Sequence, residues 1–182
     1  MDLNKFTEKS QTALAEAQTL ATRHQHQAVD VEHLALALVG QDGGLVSRLV
    51  EKARVAPDLL RAKLEEELAR LPRVSGDSTT AQGIYVTQRL NKLLVTAHDE
   101  AKRLKDDYVS VEHLFLAMFA EPANSPMGKA LKSVGLKRDD FLKALTEIRG
   151  NQRVTSPNPE ATYEALEKYG RDLTRLAQQN KL

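Results

Sequence analysis

A chain of 182 residues, 41% of them hydrophobic, suits one domain, or one domain plus a tail, and with 4% aromatics and no Trp its core must come from Leu, Val and Ala. A net charge of +1 argues against a dedicated nucleic-acid binder and gives no reason to invoke an anionic membrane surface. Cysteine is absent, which excludes disulfides and thiol chemistry; the charged start MDLNKFTEKSQ has no signal-peptide core and no apolar run reaches membrane-spanning length, so a cytoplasmic protein is expected.

Phe6, Ser10, Ala13, Leu14, Ala17, Leu20 and Ala21 recur by threes and fours, which predicts a first helix capped by Asp2 or Asn4. Asp30 caps a second, running through Leu34, Leu36 and Leu38 to Gly40, and Gln41 to Gly44 make a turn. A third helix spans Leu45 to about Arg54. Pro57 opens a fourth, with Leu60, Leu64 and Leu68 on one side, and Pro72 stops it. Residues 72–84 are small, polar and Gly-containing, as a surface connector should be.

The plan then repeats. Leu90, Leu93, Leu94, Ala97, Ala101 and Leu104 mark a fifth helix, and Ser110 caps a sixth that ends before Pro122. The seventh spans about Ser125 to Val134 and stops at Gly135, and the eighth runs from Arg138 to Arg149. Val29, Val31, Glu32, His33, Leu34, Leu36 and Ala37 recur as Val109, Val111, Glu112, His113, Leu114, Leu116 and Ala117. Thr7, Leu14, Ala17 and Ala21 recur as Thr87, Leu94, Ala97 and Ala101. The chain is a tandem duplication of a unit of roughly 65–75 residues, and the seam of such a pair is a natural binding site. The fold class is all-α: two pseudo-symmetric four-helix halves, about 1–71 and 85–149, in one domain over 1–149. Residues 150–159 read as a linker, and Glu160, Tyr163, Leu166, Tyr169, Leu173 and Leu176 predict a ninth helix without a repeat partner. Residues 150–182 are thus expected to be a mobile linker and the opening of a further domain, packing poorly on 1–149.

Motifs for catalysis are missing. No GxxxxGK[ST] loop cradles a phosphate and no GxSxG elbow presents a nucleophile. The His24-x-His26 pair lacks the further ligands zinc needs, so no metal site is expected. Glu32 and Glu112 each fall in the first turn of a helix, where a carboxylate compensates the dipole; alternatively they edge a groove and accept hydrogen bonds from a bound basic group or peptide amide. The greasy run from Leu114 to Phe119 reads as core; alternatively Phe115, Met118 and Phe119 reach an apolar groove.

Two four-helix repeats, each opening its second helix with EHLxLA, resemble the N-terminal domain of the Clp chaperone ATPases. Tyr163-Glu-Ala-Leu-Glu-Lys-Tyr-Gly-Arg-Asp-Leu-Thr-Arg-Leu-Ala resembles the entry to the first AAA+ module of that family, and Arg153-Val-Thr-Ser-Pro-x-Pro-Glu-Ala-Thr-Tyr favours its ClpB-type disaggregase branch over the ClpA and ClpC branches. The resemblance implies a parent that is a cytoplasmic hexamer threading aggregated polypeptide with ATP and magnesium held by other modules, and an N-terminal domain without cofactor that captures unfolded or aggregated substrate. It implies a substrate site at Thr7, Asp106 (with Asp107 adjacent) and Glu112, with Glu32 as a secondary polar position. Partners implied are unfolded polypeptides, the AAA+ modules of its own chain, and a co-chaperone or adaptor. Two rival readings are an adaptor-docking domain and, as in the ClpC branch, a phosphoarginine sensor using Glu32 and Glu112.

Overall fold

The structure, a computed structural model, describes residues 2–41, 43–74, 84–160 and 163. Eight α-helices are found among them: α1 (Glu8–Arg23), α2 (Val31–Gly40), α3 (Leu45–Lys52), α4 (Pro57–Ala69), α5 (Gln88–Arg103), α6 (Val111–Met118), α7 (Pro126–Val134) and α8 (Arg138–Arg149). They match the predicted helices closely, and the all-α class holds. Most of the connector at 72–84 and most of the ninth helix lie outside the described residues.

The first helix starts later than its apolar spacing suggests. Thr7, not Asp2 or Asn4, is its N-cap, and its hydroxyl accepts from the Ser10 amide. Asp2 instead caps a single 3-10 turn, Leu3–Lys5. The chain between is drawn straight because Phe6 pairs in parallel with Val109: the Thr7 amide donates to Val109 O (3.0 Å) and the Val109 amide to Lys5 O (2.8 Å). The other half does the same. β1 (Ala28–Val29) pairs in parallel with β2 (Tyr85–Val86), and the Thr87 amide donates to Val29 O. Each repeat thus lends its leading strand to the other, which fixes the seam with backbone hydrogen bonds. Two-residue strands carry no readable period, so the alternating-pattern test cannot find them.

Packing follows the same exchange. Within each repeat the first helix lies on the second (α1 on α2, α5 on α6), while α3 packs on α8 and α4 on α7 across the pseudo-twofold. The core is continuous through both halves, with Leu34, Leu38, Leu49, Leu60, Leu64, Leu68, Leu114, Phe115 and Phe141 fully enclosed. Four helix ends close alike, the amide of one residue reaching back five positions: His26 to Ala21 O, Val55 to Val50 O, Asp106 to Ala101 O and Leu136 to Leu131 O. The left-handed residue each closure needs is Gln25, Arg54, Lys105 or Gly135; only the last is glycine. Two of these turns deliver His26 and Asp106 to equivalent places.

The segment after α8 does not behave as a linker standing clear of the domain. Val154, Pro159, Glu160 and Tyr163 are buried, and Arg149, at the point where the segment leaves α8, is 8% exposed. The sequence pattern missed this because the contacts are isolated rather than periodic: Val154 and Tyr163 join the core singly, and Arg149 and Glu160 bond across the fold.

Candidate functional site

Thr7, Asp106 and Glu112 do come together, at the start of α1, the turn after α5 and the start of α6. All three side chains are fully buried. Asp107, the neighbour that the resemblance left open, is exposed and contributes its backbone amide to Val154 O (2.8 Å), so the carboxylate that joins this buried cluster is that of Asp106.

Asp106 is the hub. Arg149, at the last turn of α8, grips it with two hydrogen bonds of 2.9 and 2.6 Å, and the Val154 amide donates to Oδ1 at 2.9 Å. His113 lies at its Oδ2, 2.7 Å away. The His113 Nδ1 accepts from the Ser110 amide, closing the start of α6, so its proton sits on Nε2 and points at the carboxylate. Burial pushes the Asp106 carboxyl up, but these hydrogen bonds from His113, Arg149 and Val154 win and hold it at about 2. Glu112 accepts from the Ser110 hydroxyl and faces the Arg149 guanidinium at 3.7 Å. Thr7 Oγ1 donates to Glu160 Oε1 at 2.6 Å, and the Val111 amide donates to the same oxygen at 3.3 Å. Tyr163 closes the cluster, with Arg149 5.8 Å from its ring centre.

The first half holds a related cluster with different residues. His33 takes the place of His113, accepting from the Asp30 amide, but its Nε2 meets His26 Nδ1 at 2.8 Å where the other half has Asp106. Burial and the facing His26 hold His33 down at about 4. Arg89 takes the part of Arg149, bridging Asp30 (3.0 Å), Glu32 (2.9 and 3.2 Å) and Glu121 (2.5 Å). Burial pushes the Glu32 carboxyl up against the opposing pull of Arg89. His24 and His26 stack, and no group of three metal-ligating side chains is found among the described residues.

Phe115 and Met118 are fully enclosed, and Phe119 is half-buried against Phe115 and Phe141 with ring centres 5.6 Å apart. They form core rather than an open groove, because α6 is wrapped by α5, α3, α2, α1 and α8. An open groove of about 800 Å³ lies elsewhere, between α1, α2 and α4. Leu20, Leu36 and Ala37 line it with Thr12, and the charges of Lys9, Glu16, Arg61 and Glu65 surround it. It reaches Glu8 and Asn158, beside the Thr7 cluster.

Sequence reasoning missed Arg89, Arg149, His26, Glu160 and Tyr163 as members of these clusters. The available signal was Asp30 against Ser110, a single mismatch inside the matched string Val29–Leu34 and Val109–Leu114. His26 and Asp106 share an offset too, but in a stretch, 24–28 against 104–108, where the two copies have no residue in common.

No helix among the described residues is long and apolar enough to cross a membrane. The family model for the Clp repeat (R) N-terminal domain matches residues 5–134. Chaperone protein ClpB of Nitratidesulfovibrio vulgaris is 53% identical over 182 residues, and that of Bacillus cereus 44%. Each match takes in 100% of this chain and 21% of the relative, so the chain spans about a fifth of the length of the curated relatives it matches. Of solved structures, the Hsp104 N-terminal domain from Candida albicans is similar with a TM-score of 0.74 at 20% identity, covering 86% of this chain and 99% of that one. A complex of the ClpV N-domain with a VipB peptide is similar with a TM-score of 0.63 at 18% identity, covering 84% and 92%. The chain therefore belongs to the Clp repeat N-terminal domain family, as a noncatalytic domain that matches the N-terminal region of ClpB chaperones.

Proposed function

We propose that this domain captures unfolded or aggregated polypeptide for an ATP-dependent disaggregase. In this reading the parent is a cytoplasmic hexamer whose AAA+ modules bind ATP and magnesium and thread the captured chain, and residues 150–182 lead from the 1–149 domain into those modules. The observation that carries the reading is the groove along α1: apolar contacts from Leu20, Leu36 and Ala37 within a charged surround. Such a surface takes apolar side chains from varied sequences without being large enough to self-associate. Thr7, Asp106 and Glu112 form the polar end of the site, beneath the tail segment. Weak capture by one domain suffices, since six copies supply avidity. The peptide bound in the ClpV complex supports a peptide as the class of ligand for this fold.

Adaptor docking uses the same exposed groove and is separated by the ligand that binds. The phosphoarginine reading is disfavoured, because Glu32 and Glu112 already face the guanidinium groups of Arg89 and Arg149.

The test is fluorescence anisotropy with a labelled, permanently unfolded polypeptide. Thr12 is exposed in the middle of the groove, so Thr12→Trp fills it at little cost to the fold. The variant should bind about tenfold more weakly, equivalent to about 1.4 kcal/mol. A control at Val95→Trp, exposed on α5 outside the groove, should bind as the parent does. Equal binding by both variants would place capture elsewhere, and binding of folded proteins alone would favour adaptor docking.

A further inference from the structure

The two halves solve one local problem differently. In the first, the carboxylate of Asp30 sits where α5 and α2 begin: Thr87 Oγ1 donates to its Oδ1 at 2.8 Å, and the Val31 amide donates to the same oxygen at 2.8 Å. In the second, the equivalent donors are Thr7 Oγ1 and the Val111 amide, at the starts of α1 and α6, but the residue equivalent to Asp30 is Ser110. A serine hydroxyl is too short to span both donors, and here it turns to Glu112 instead. The missing carboxyl comes from Glu160, on the tail.

We infer that Thr7 Oγ1 and the Val111 amide form a carboxyl-binding site whose resident ligand is Glu160 of the chain's own tail, and which an acidic residue of an extended peptide occupies when the tail leaves. This rests on the reading that polypeptide is bound beside α1. Two helix starts converge on the site, so both dipoles favour the acceptor oxygen. The tail leading to it is held as a bound peptide would be. Asp107 N donates to Val154 O, Glu8 N donates to Pro157 O at 2.8 Å, and Val154 is enclosed. The Glu8 amide is one of the unpaired donors at the start of α1, so a peptide carbonyl satisfies it directly. The displacing peptide therefore carries an apolar residue six positions before its acid, as Val154 precedes Glu160.

The occupant is also built to leave. Glu160 Oε2, Glu112 Oε2 and Tyr163 OH are buried without hydrogen-bond partners among the described residues, and each such atom weakens docking. Burial, and then the Glu112 carboxylate, push the Glu160 carboxyl up to about 7, which fits a proton on the unpaired oxygen. The first half has no such exchange, because Asp30 is covalently in place. Release of the tail would free residues 150–160 from the face of the domain that they cover.

The experiment uses a labelled peptide of residues 152–165 added to the full chain. Ser110→Asp copies the first half and fills the site from within, keeping an N-cap residue at the start of α6 as Asp30 is at the start of α2. Its thermal unfolding is measured alongside, because the change also removes the hydroxyl that Glu112 accepts from. In that variant the tail amides should lose hydrogen-exchange protection and the added peptide should fail to bind. Glu160→Ala with Tyr163→Ala releases the tail and leaves the site open, so the peptide should bind about tenfold or more tighter than to the parent chain. The same peptide carrying Glu160→Ala should not bind. Unchanged tail protection in Ser110→Asp, or equal binding of the two peptides, overturns the inference. The assay contains no client, so failure of client capture and failure of the carboxyl site are read separately.

Discussion

His113 Nε2 lies 2.7 Å from Asp106 Oδ2, with both side chains fully enclosed, while its repeat partner His33 faces His26 instead. His26 at the position equivalent to Asp106 gives a histidine–histidine pair where the other half has a histidine–carboxylate pair. Two imidazoles cannot both be protonated there, and His33 is held down at about 4. Its folded value lies below the ordinary 6.5, so the folded state binds fewer protons. The stability it contributes is fully present above pH 6.5 and is lost as pH falls toward 4. The loss should be about 3 kcal/mol, from the 1.36 kcal/mol that accompanies each pH unit. Urea unfolding between pH 7 and 4 measures it, and His26→Asp, which restores the carboxylate of the other half, should remove most of the slope.

Arg149 and Arg89 serve similar clusters at different depths. Arg149 is 7% exposed in its side chain and is the cation facing both Asp106 and Glu112, whereas Arg89 is 34% exposed. Removing one partner of a buried pair leaves an uncompensated charge, at about 3–5 kcal/mol. Arg149→Met should show a loss in that range by chemical denaturation, and Arg89→Met a clearly smaller one. Equal losses would mean that water reaches the Asp106 cluster.

Thr7→Ala is not a silent surface change. Thr7 caps α1 and is enclosed, so its loss should cost about 0.5–2 kcal/mol in thermal unfolding as well as weakening the tail contact.

Tail docking should depend on pH. The Glu160 carboxyl is raised from 4.5 to about 7 when docked, facing Glu112 from α6 and Thr7 from α1, with Arg149 of α8 beyond Glu112. The docked state therefore binds the proton more readily, and docking is strongest below pH 4.5 and weakens as pH rises to about 7. Hydrogen exchange at the Val111 amide should report this, and Glu160→Gln should flatten the dependence.

The helices were legible because each buries a regular stripe: Leu60, Leu64 and Leu68 are all enclosed, as the spacing demanded. Leu34 and Leu114 are likewise enclosed, and Leu→Ala at either should cost about 2–5 kcal/mol. The duplication was legible for the same reason, since it rests on long matched strings. Thr7, Asp106 and Glu112 were named as a substrate site through the family resemblance; the structure links them in one buried cluster, and that burial was not foreseen. Burial there depends on Arg149 and Glu160, single residues that reach across the fold and leave no periodic trace. The strand exchange at Phe6 and Val109 escaped for want of length.

Capture of polypeptide is decided most directly by where an unfolded chain touches the domain. A backbone-amide NMR titration of the full chain with an unfolded, apolar polypeptide gives that map. Capture in the groove predicts shifts from Lys9 to Glu16 and from Leu36 to Gln41. Shifts confined to the opposite contact of α3 with α8, or no shifts at saturating polypeptide, would contradict it.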